Sequence, residues 1–484
     1  MTRREDIAVA VADEVLDPSA EVPARDAELS GRLAGLSLPR QVLVLALWPL
    51  LEQVMQFLVG TVDLALAARL EPRAIAVTGT DALGVAGYLM WLMGMLLGAV
   101  GVGASALVAR AIGGRHRRVA NAALGQSLLL AVIGGSAMGA LLFAVAPALA
   151  TLAGASPLAA VQCVVYLRVI AVAAPMMGVL FVGNACLRGA GDTRTPFWIM
   201  VVVNAVNIVA SVVLTFGPSP VGGGSVTDIA AGTVVAWATG AVLVVATLLR
   251  SPRDRGGLRL RLIRLRPHRS TLWRIVRVGV PNLVESAGMW LGNFAVLKLV
   301  SLTGGVGVIG SHMIAIRLES ISFLPGFAIG IASATLVGQY LGAGSPAKAR
   351  HAAMLCWGLA ATLMGIIGVA FIALPHTLVG LISDVPVHLA TTPPLLRICG
   401  FVQVFFATAI VLSSTLRGAG DTRSAMALTY LSTFGVRVPA VAAAVLWFEG
   451  DLRVVWLVLC GDLIVRGLMF ATWFARGRWM TVHV

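Results

Sequence analysis

Twelve long apolar runs decide what this chain can be. A helix needs roughly 20 mostly apolar residues to cross a bilayer. Runs that meet this lie at about 42–68, 83–110, 122–148, 161–186, 196–217, 227–249, 276–300, 311–340, 352–375, 395–416, 424–448 and 453–475. Only 12% of the residues are charged, about half the share usual in a soluble domain. Lipid offers the backbone no hydrogen bonds, so each run must satisfy its own as a helix. A transmembrane barrel would show alternating segments of about ten residues instead. The expected fold is all-α: a polytopic membrane protein with six helices in each half.

The halves are copies of one unit. Leu187-Arg188-Gly189-Ala190-Gly191-Asp192-Thr193-Arg194 recurs as Leu416-Arg417-Gly418-Ala419-Gly420-Asp421-Thr422-Arg423, 229 residues later. At the same offset Leu167-Arg168 matches Leu396-Arg397, and Gly101, Leu107-Val108, Gly113 and Ala120 match Gly330, Leu336-Val337, Gly342 and Ala349. Pro49 in the first run has its counterpart at Pro281, 232 residues on. A unit with an even number of spans enters twice from the same side, so the copies form two parallel-repeat six-helix bundles with a cleft between them.

The net charge of +14 is placed as a membrane protein places it, and nucleic acid is not an expected partner. From Arg250 to Arg277 there are ten arginines and one acid, Asp254. Arg110, Arg115, Arg117 and Arg118 follow the second run, and Arg476 and Arg478 follow the last. Loops near 150–158, 218–226 and 384–394 hold almost no Lys or Arg. The positive-inside rule then puts both termini and the central linker in the cytoplasm, with the linker against anionic headgroups. The expected division is a cytosolic tail 1–40, an N-lobe 41–250, a basic linker 251–273, a C-lobe 274–478 and a short tail 479–484. The tail has no apolar core ahead of the first span, unlike a secretory signal. Cys163, Cys186, Cys356, Cys399 and Cys460 all fall in or beside spans without metal spacing, and are read as small packing residues. No metal or cofactor is expected.

Polar residues inside spans are the candidates for function, because each is costly in lipid. The first run holds Glu52, Gln56 and Asp63; 11 residues at 1.5 Å each put Asp63 about 16 Å beyond Glu52, in the outer half. Asn204 and Asn207 share a face of the fifth, either as interhelical glue or as the wall of a cavity. Glu285 and Asn293 lie in the seventh, and His312, Arg317 and Glu319 in the eighth. Arg437 precedes Pro439, and Asp462 and Arg466 are spaced for an intrahelical ion pair. In the repeated loops, the glycines permit a turn with φ > 0 and Asp192 and Asp421 suit N-caps. Arg188 and Arg417 are expected to meet helix carbonyls or lipid phosphate. These four, with Pro49 and Pro281, are read as structural hinge and loop residues.

These loops, the Leu-Val-x-x-x-x-Gly segments at 107–113 and 336–342, Val62-Asp63 and the run from Ser311 to Gly344 resemble multidrug and toxic compound extrusion (MATE) transporters. The pattern from His312 to Gly344 is similar to the branch with the bacterial DNA-damage-inducible member. The resemblance covers roughly 41–478. It implies outward export of drugs or metabolites in antiport with protons or sodium, by a monomer in the cell membrane. Asp63 matches the family's first-span acid, implicated in cation coupling, and Asn207 an asparagine lining the same cavity. Where some relatives have a second acid four residues on, this chain has Ser211. The tenth-span acid of the sodium-coupled branch has no match between Gly400 and Thr415, and Glu285 is not equated with that branch's seventh-span acid. These differences favour protons over sodium.

The expected function is therefore a proton-coupled antiporter of amphipathic or cationic small molecules. Asp63 is the coupling residue, and Gln56, Asn204, Asn207, Ser211, Glu285 and Asn293 are candidates to line the cavity. The rival readings are sodium-coupled antiport and a lipid or lipid-linked-glycan flippase. An intramembrane enzyme would need a catalytic cluster that the seven histidines do not form.

Overall fold

The computed structural model describes residues 29, 33–67, 70, 73–152, 157–217, 223–250, 258–303 and 307–482. The side chains of 56–65, and of several residues between 73 and 91, lie outside that description. The first six long helices are α1 Leu38–Ala67, α2 Arg73–Gly113, α3 Arg117–Leu152, α4 Pro157–Gly189, α5 Arg194–Phe216 and α6 Val226–Arg250. The second series is α7 Arg269–Leu302, α8 Val308–Gly342, α9 Pro346–Ala373, α10 Pro386–Phe401, α11 Gln403–Ala419, α12 Thr422–Ser432, α13 Val438–Leu446 and α14 Leu452–Ala475. Among the described residues there is no strand. Among the described residues ten helices, with α12 and α13 taken as one, are long and apolar enough to span a membrane, and the bent pair α10–α11 makes an eleventh; α1, at 30 residues, is the remaining long helix of the first half. This is the twelve-helix, two-bundle architecture that the repeat predicts.

Three spans differ from their sequence outlines. Helix α2 begins ten residues before the expected 83, because Thr78, Thr80 and Asp81 interrupt the apolar run without interrupting the helix. The tenth span, expected as one helix over 395–416, is two helices meeting at Val402 with a bend of 59°. No proline stands at the break. The Gln403 side chain donates to the Cys399 carbonyl at 3.2 Å, taking the acceptor that a continuing ladder would give to the Gln403 backbone. A side chain inserted into the ladder is a recognised cause of a kink. The eleventh span, expected as one helix over 424–448, passes through a π-turn at Thr433–Arg437. Pro439 brings no backbone donor, and a wider turn just ahead of it absorbs the mismatch.

The linker is strapped to the first bundle. Gln126 on α3 donates to the carbonyls of Arg264 (2.6 Å) and Arg266 (2.7 Å), and its Oε1 accepts from the His268 amide at 2.9 Å. Asn121 accepts from the Arg259 amide, and Leu258 and Leu260 are buried. The five cysteines are free and buried.

The bundles meet at the end that carries the repeated loops and most of the arginines. Helices α2 and α8 cross there with the repeat-related glycines face to face. A Cβ on Gly113 would lie 1.9 Å from the Gln339 carbonyl oxygen, and one on Gly342 2.1 Å from that of Arg110. Four hydrogen bonds join the bundles around the crossing. Thr335 donates to the Arg188 carbonyl (3.2 Å), Gln339 to the Gly189 carbonyl (3.0 Å), Tyr340 to Gln41 (2.8 Å) and Arg110 to the Val482 carbonyl (2.6 Å). Helix α7 closes on α2 in the same zone, where a Cβ on Gly103 would lie 2.5 Å from the Ile275 carbonyl oxygen.

Candidate functional site

One face of α5 is polar along its length. Asn204, Asn207, Ser211 and Thr215 recur at the helical period, and all four are buried. Neither bundle core nor lipid calls for such a stripe. Asn207 Nδ2 donates to Thr233 Oγ1 on α6 at 3.1 Å, so one amide proton serves as interhelical glue. Among the described residues, Asn204 Nδ2, Asn207 Oδ1, Ser211 Oγ and Thr215 Oγ1 have no partner, nor has either amide atom of Asn184 on α4. An unsatisfied buried polar group costs about 1–3 kcal/mol. A chain that accumulates several in one bundle is poised to meet water or an ion there. Gly232 brings α6 close, since a Cβ on it would lie 2.3 Å from Ser211 Oγ.

The α1 backbone at the coupling candidate Asp63 and the cavity candidate Gln56 runs level with this stripe. Helices α1 and α5 both start at the loop end and run the same way. Thr193 Oγ1 donates to the Val44 carbonyl, and the Trp48 and Phe197 rings lie 5.1 Å apart, so both contacts join residues 149 apart. At a common rise of about 1.5 Å per residue, the same register sets the Asp63 backbone level with Val212, beside Ser211. It sets Gln56 level with Ala205, beside Asn204. The side chains of Asp63 and Gln56 fall outside the described residues. Since Ser211 Oγ has no partner among the described residues, Ser211→Ala is expected to leave stability unchanged or raise it by up to about 1–3 kcal/mol while still changing transport. A matched loss in thermal denaturation and in transport would make the hydroxyl structural.

The loop arginines turn inward, against the expectation of carbonyls or lipid phosphate. Arg188 Nη1 reaches both oxygens of Glu52 at 3.2 Å. Arg417 grips Glu285 through Nη2 at 2.7 Å and Nε at 3.4 Å. Each bundle therefore has its first helix tied to the end of its fourth by an acid that follows a proline. Glu285, expected to line the cavity, is instead fully engaged: Thr429 donates to it at 2.7 Å and it is 2% exposed. Asp192 caps the Thr195 amide at 3.0 Å and Asp421 that of Ser424 at 3.3 Å. Gly191 and Gly420 take φ of +87° and +89°, the left-handed turns the repeated glycines allow.

Asn293 too belongs to a network. Its Oδ1 accepts from Arg437 Nη1 at 3.1 Å. Arg437 pairs with Asp462 at 2.7 Å, closer than the intrahelical Arg466, at 3.3 Å from the same oxygen. Arg466 also donates to Ser432 and Thr433, and Ser432 to Asp462. The sequence placed the Asp462–Arg466 pair; it could not place Arg437 over it. His312 accepts from Trp456 Nε1 at 3.1 Å.

Two helical bundles sharing one seal, with unmet polar groups inside the first, define a membrane transporter. The MatE family model matches residues 50–213 and 281–442, one match in each half, and the chain belongs to that family of transporters rather than to any enzyme class. It is 28% identical to a probable multidrug resistance protein NorM of Thermotoga maritima, over 91% of this chain and 93% of that one. It is 26% identical to the multidrug resistance protein PmpM of Pseudomonas aeruginosa, over 90% and 91%. Among solved structures, an outward-facing multidrug resistance MATE family transporter of the MOP superfamily superposes with a TM-score of 0.84 at 22% identity, covering 92% of this chain and 97% of that one. A MOP superfamily transporter from Pyrococcus furiosus gives 0.83 at 22% identity over the same shares.

Proposed function

We propose that this protein is a secondary antiporter that exports amphipathic or cationic organic compounds in exchange for protons entering the cell. It acts as a monomer in the cytoplasmic membrane, with both termini and the arginine-rich end in the cytosol. Its relatives' roles as multidrug resistance proteins support the substrate class. One observation carries the coupling site: a stripe of buried, unpartnered side-chain atoms on α5, level with the Asp63 backbone. The carboxyl of Asp63, on an α1 backbone level with neutral amides and hydroxyls, would hold one exchangeable charge. When Asp63 binds a proton from outside, its demand on those groups falls, and α1 repacks against α5 around Pro49. The cation's differential affinity for the two states supplies the work of export.

The test is ethidium efflux from proteoliposomes under separately imposed proton and sodium gradients. Efflux is expected to follow the proton gradient and to vanish in Asp63→Asn, with the variant still folded. Efflux that follows sodium alone makes the sodium reading correct. Proton-driven efflux that survives in Asp63→Asn removes the residue from coupling.

A further inference from the structure

The second bundle contains a carboxylate that the first does not. Three acids and three arginines are sunk in it: Glu285, Glu319 and Asp462 with Arg417, Arg437 and Arg466. Glu285 is held by Arg417, and Asp462 by both Arg437 and Arg466. Glu319, half-buried on α8, has no ion-pair contact among the described residues. It lies on the helix face shared by His312, Ala315, Leu318 and Ser322, all buried. Among the described residues its side chain meets one donor, Cys399 Sγ at 3.6 Å, from the last turn of α10. A carboxylate at this depth is held against a large desolvation cost, and a single thiol is a weak compensation.

The surroundings of that thiol are built for more than packing. Cys399 stands just before the α10–α11 break. Gln403, the first residue beyond it, donates to Cys399 Sγ at 3.0 Å and to its carbonyl. The other half of that amide, Gln403 Oε1, is buried and has no partner among the described residues. Broken spans are where transporters place substrate and small-cation sites, and here the break stands beside an acid that no arginine contacts among the described residues. Cys399 from α10 bonds Glu319; the positive charge of Arg437 on the π-turn acts on it without contact, and Cys460 from α14 acts through Cys399. His312, on its own face, is occupied by Trp456.

We propose that Glu319, with Cys399 and Gln403 at the α10–α11 break, forms a second proton-binding site, located in the C-terminal bundle. A proton arriving from outside joins the Glu319 carboxylate and leaves from it to the cytosol. While it is bound, the Asp462–Arg437–Arg466 cluster keeps one uncompensated positive charge. Arg437 ends the π-turn, so the charge on Glu319 is read by the span that bends there. The site rests on the proton-coupled reading of this transporter and adds one exchangeable carboxyl to it.

Infrared difference spectra of the purified full-length protein in lipid nanodiscs, between acidic and alkaline buffer, test this without a transported ligand. The Asp63→Asn background removes the other proposed carboxyl. In it, a protonated-carboxyl band is expected that disappears when Glu319→Gln is added. Adding Cys399→Ala instead is expected to shift that band, because its hydrogen-bond donor is lost. If Glu319→Gln does not fold, the Cys399→Ala shift decides alone. Superimposable spectra for Asp63→Asn and its Cys399→Ala derivative, or a band untouched by Glu319→Gln, overturn the proposal. Failure of the Asp63 coupling test leaves this band in place, so the two readings fail separately.

Discussion

Replacing Arg417 with alanine is expected to cost about 3–5 kcal/mol, the range for stranding one member of a buried ion pair. Glu285 is 2% exposed and meets three donor atoms, two from Arg417 and one from Thr429. Without the guanidinium, its charge stays inside the bundle with a single hydroxyl. Glu285→Gln should cost less, because a neutral amide still accepts from Thr429. Replacing both partners by apolar residues of similar volume is expected to recover most of the loss, since the desolvation cost leaves with the charges. Arg188→Ala is the internal control. Its bonds to Glu52 are longer, 3.2 Å each, and the pair is less buried on its acidic side, so a smaller loss is expected. Thermal unfolding in detergent, followed by tryptophan fluorescence, should order the variants with the double replacement near wild type and Arg417→Ala lowest. A double replacement as unstable as Arg417→Ala alone would contradict this account.

The clasp also shows where reading the sequence stopped. The repeated octapeptide made both loops visible, because their letters are identical. It did not expose their partners, because Glu52 and Glu285 are 233 residues apart while the arginines are 229 apart. A register slip between the first helix of each unit and the rest hid the acids from a gapless comparison. The usable signal was a glutamate three or four residues after Pro49 and Pro281. The α5 stripe was largely legible: Asn204 and Asn207 announced a face, the family resemblance brought in Ser211, and following the 3.6-residue period would have added Thr215. The break at Val402 had no such trace, since a side chain competing for one carbonyl leaves no proline or glycine mark. Spacing gave Asp462 one arginine, Arg466, and left Glu319 without a partner. Only the three-dimensional count of partners separates an acid held by two arginines from one held by a thiol.

Gly342→Leu is expected to abolish efflux from a protein that still folds. The Cβ would stand 2.1 Å from the Arg110 carbonyl oxygen, a backbone atom inside a helix, so no rotamer change relieves the clash. Helices α2 and α8 must part by about 1 Å, and a leucine demands more. The lobes are separate bundles, so the strain opens their shared seal before it disturbs either core. Overpacking of this kind costs about 1–3 kcal/mol, enough to shift a two-state balance by about 5–150-fold. The shift disfavours the state in which Thr335, Gln339 and Tyr340 bond across the crossing. A transporter that cannot close one end cannot alternate, so ethidium efflux should fall with the closed population. Labelling of a Thr335→Cys probe, buried in the sealed structure, should rise in the Gly342→Leu background. Gly358 supplies the contrast: a Cβ there meets nothing within 4 Å, so Gly358→Ala should leave both measurements at wild-type levels. Efflux that persists in Gly342→Leu with the probe still protected would show that the crossing tolerates the side chain, and that the seal does not depend on the paired glycines.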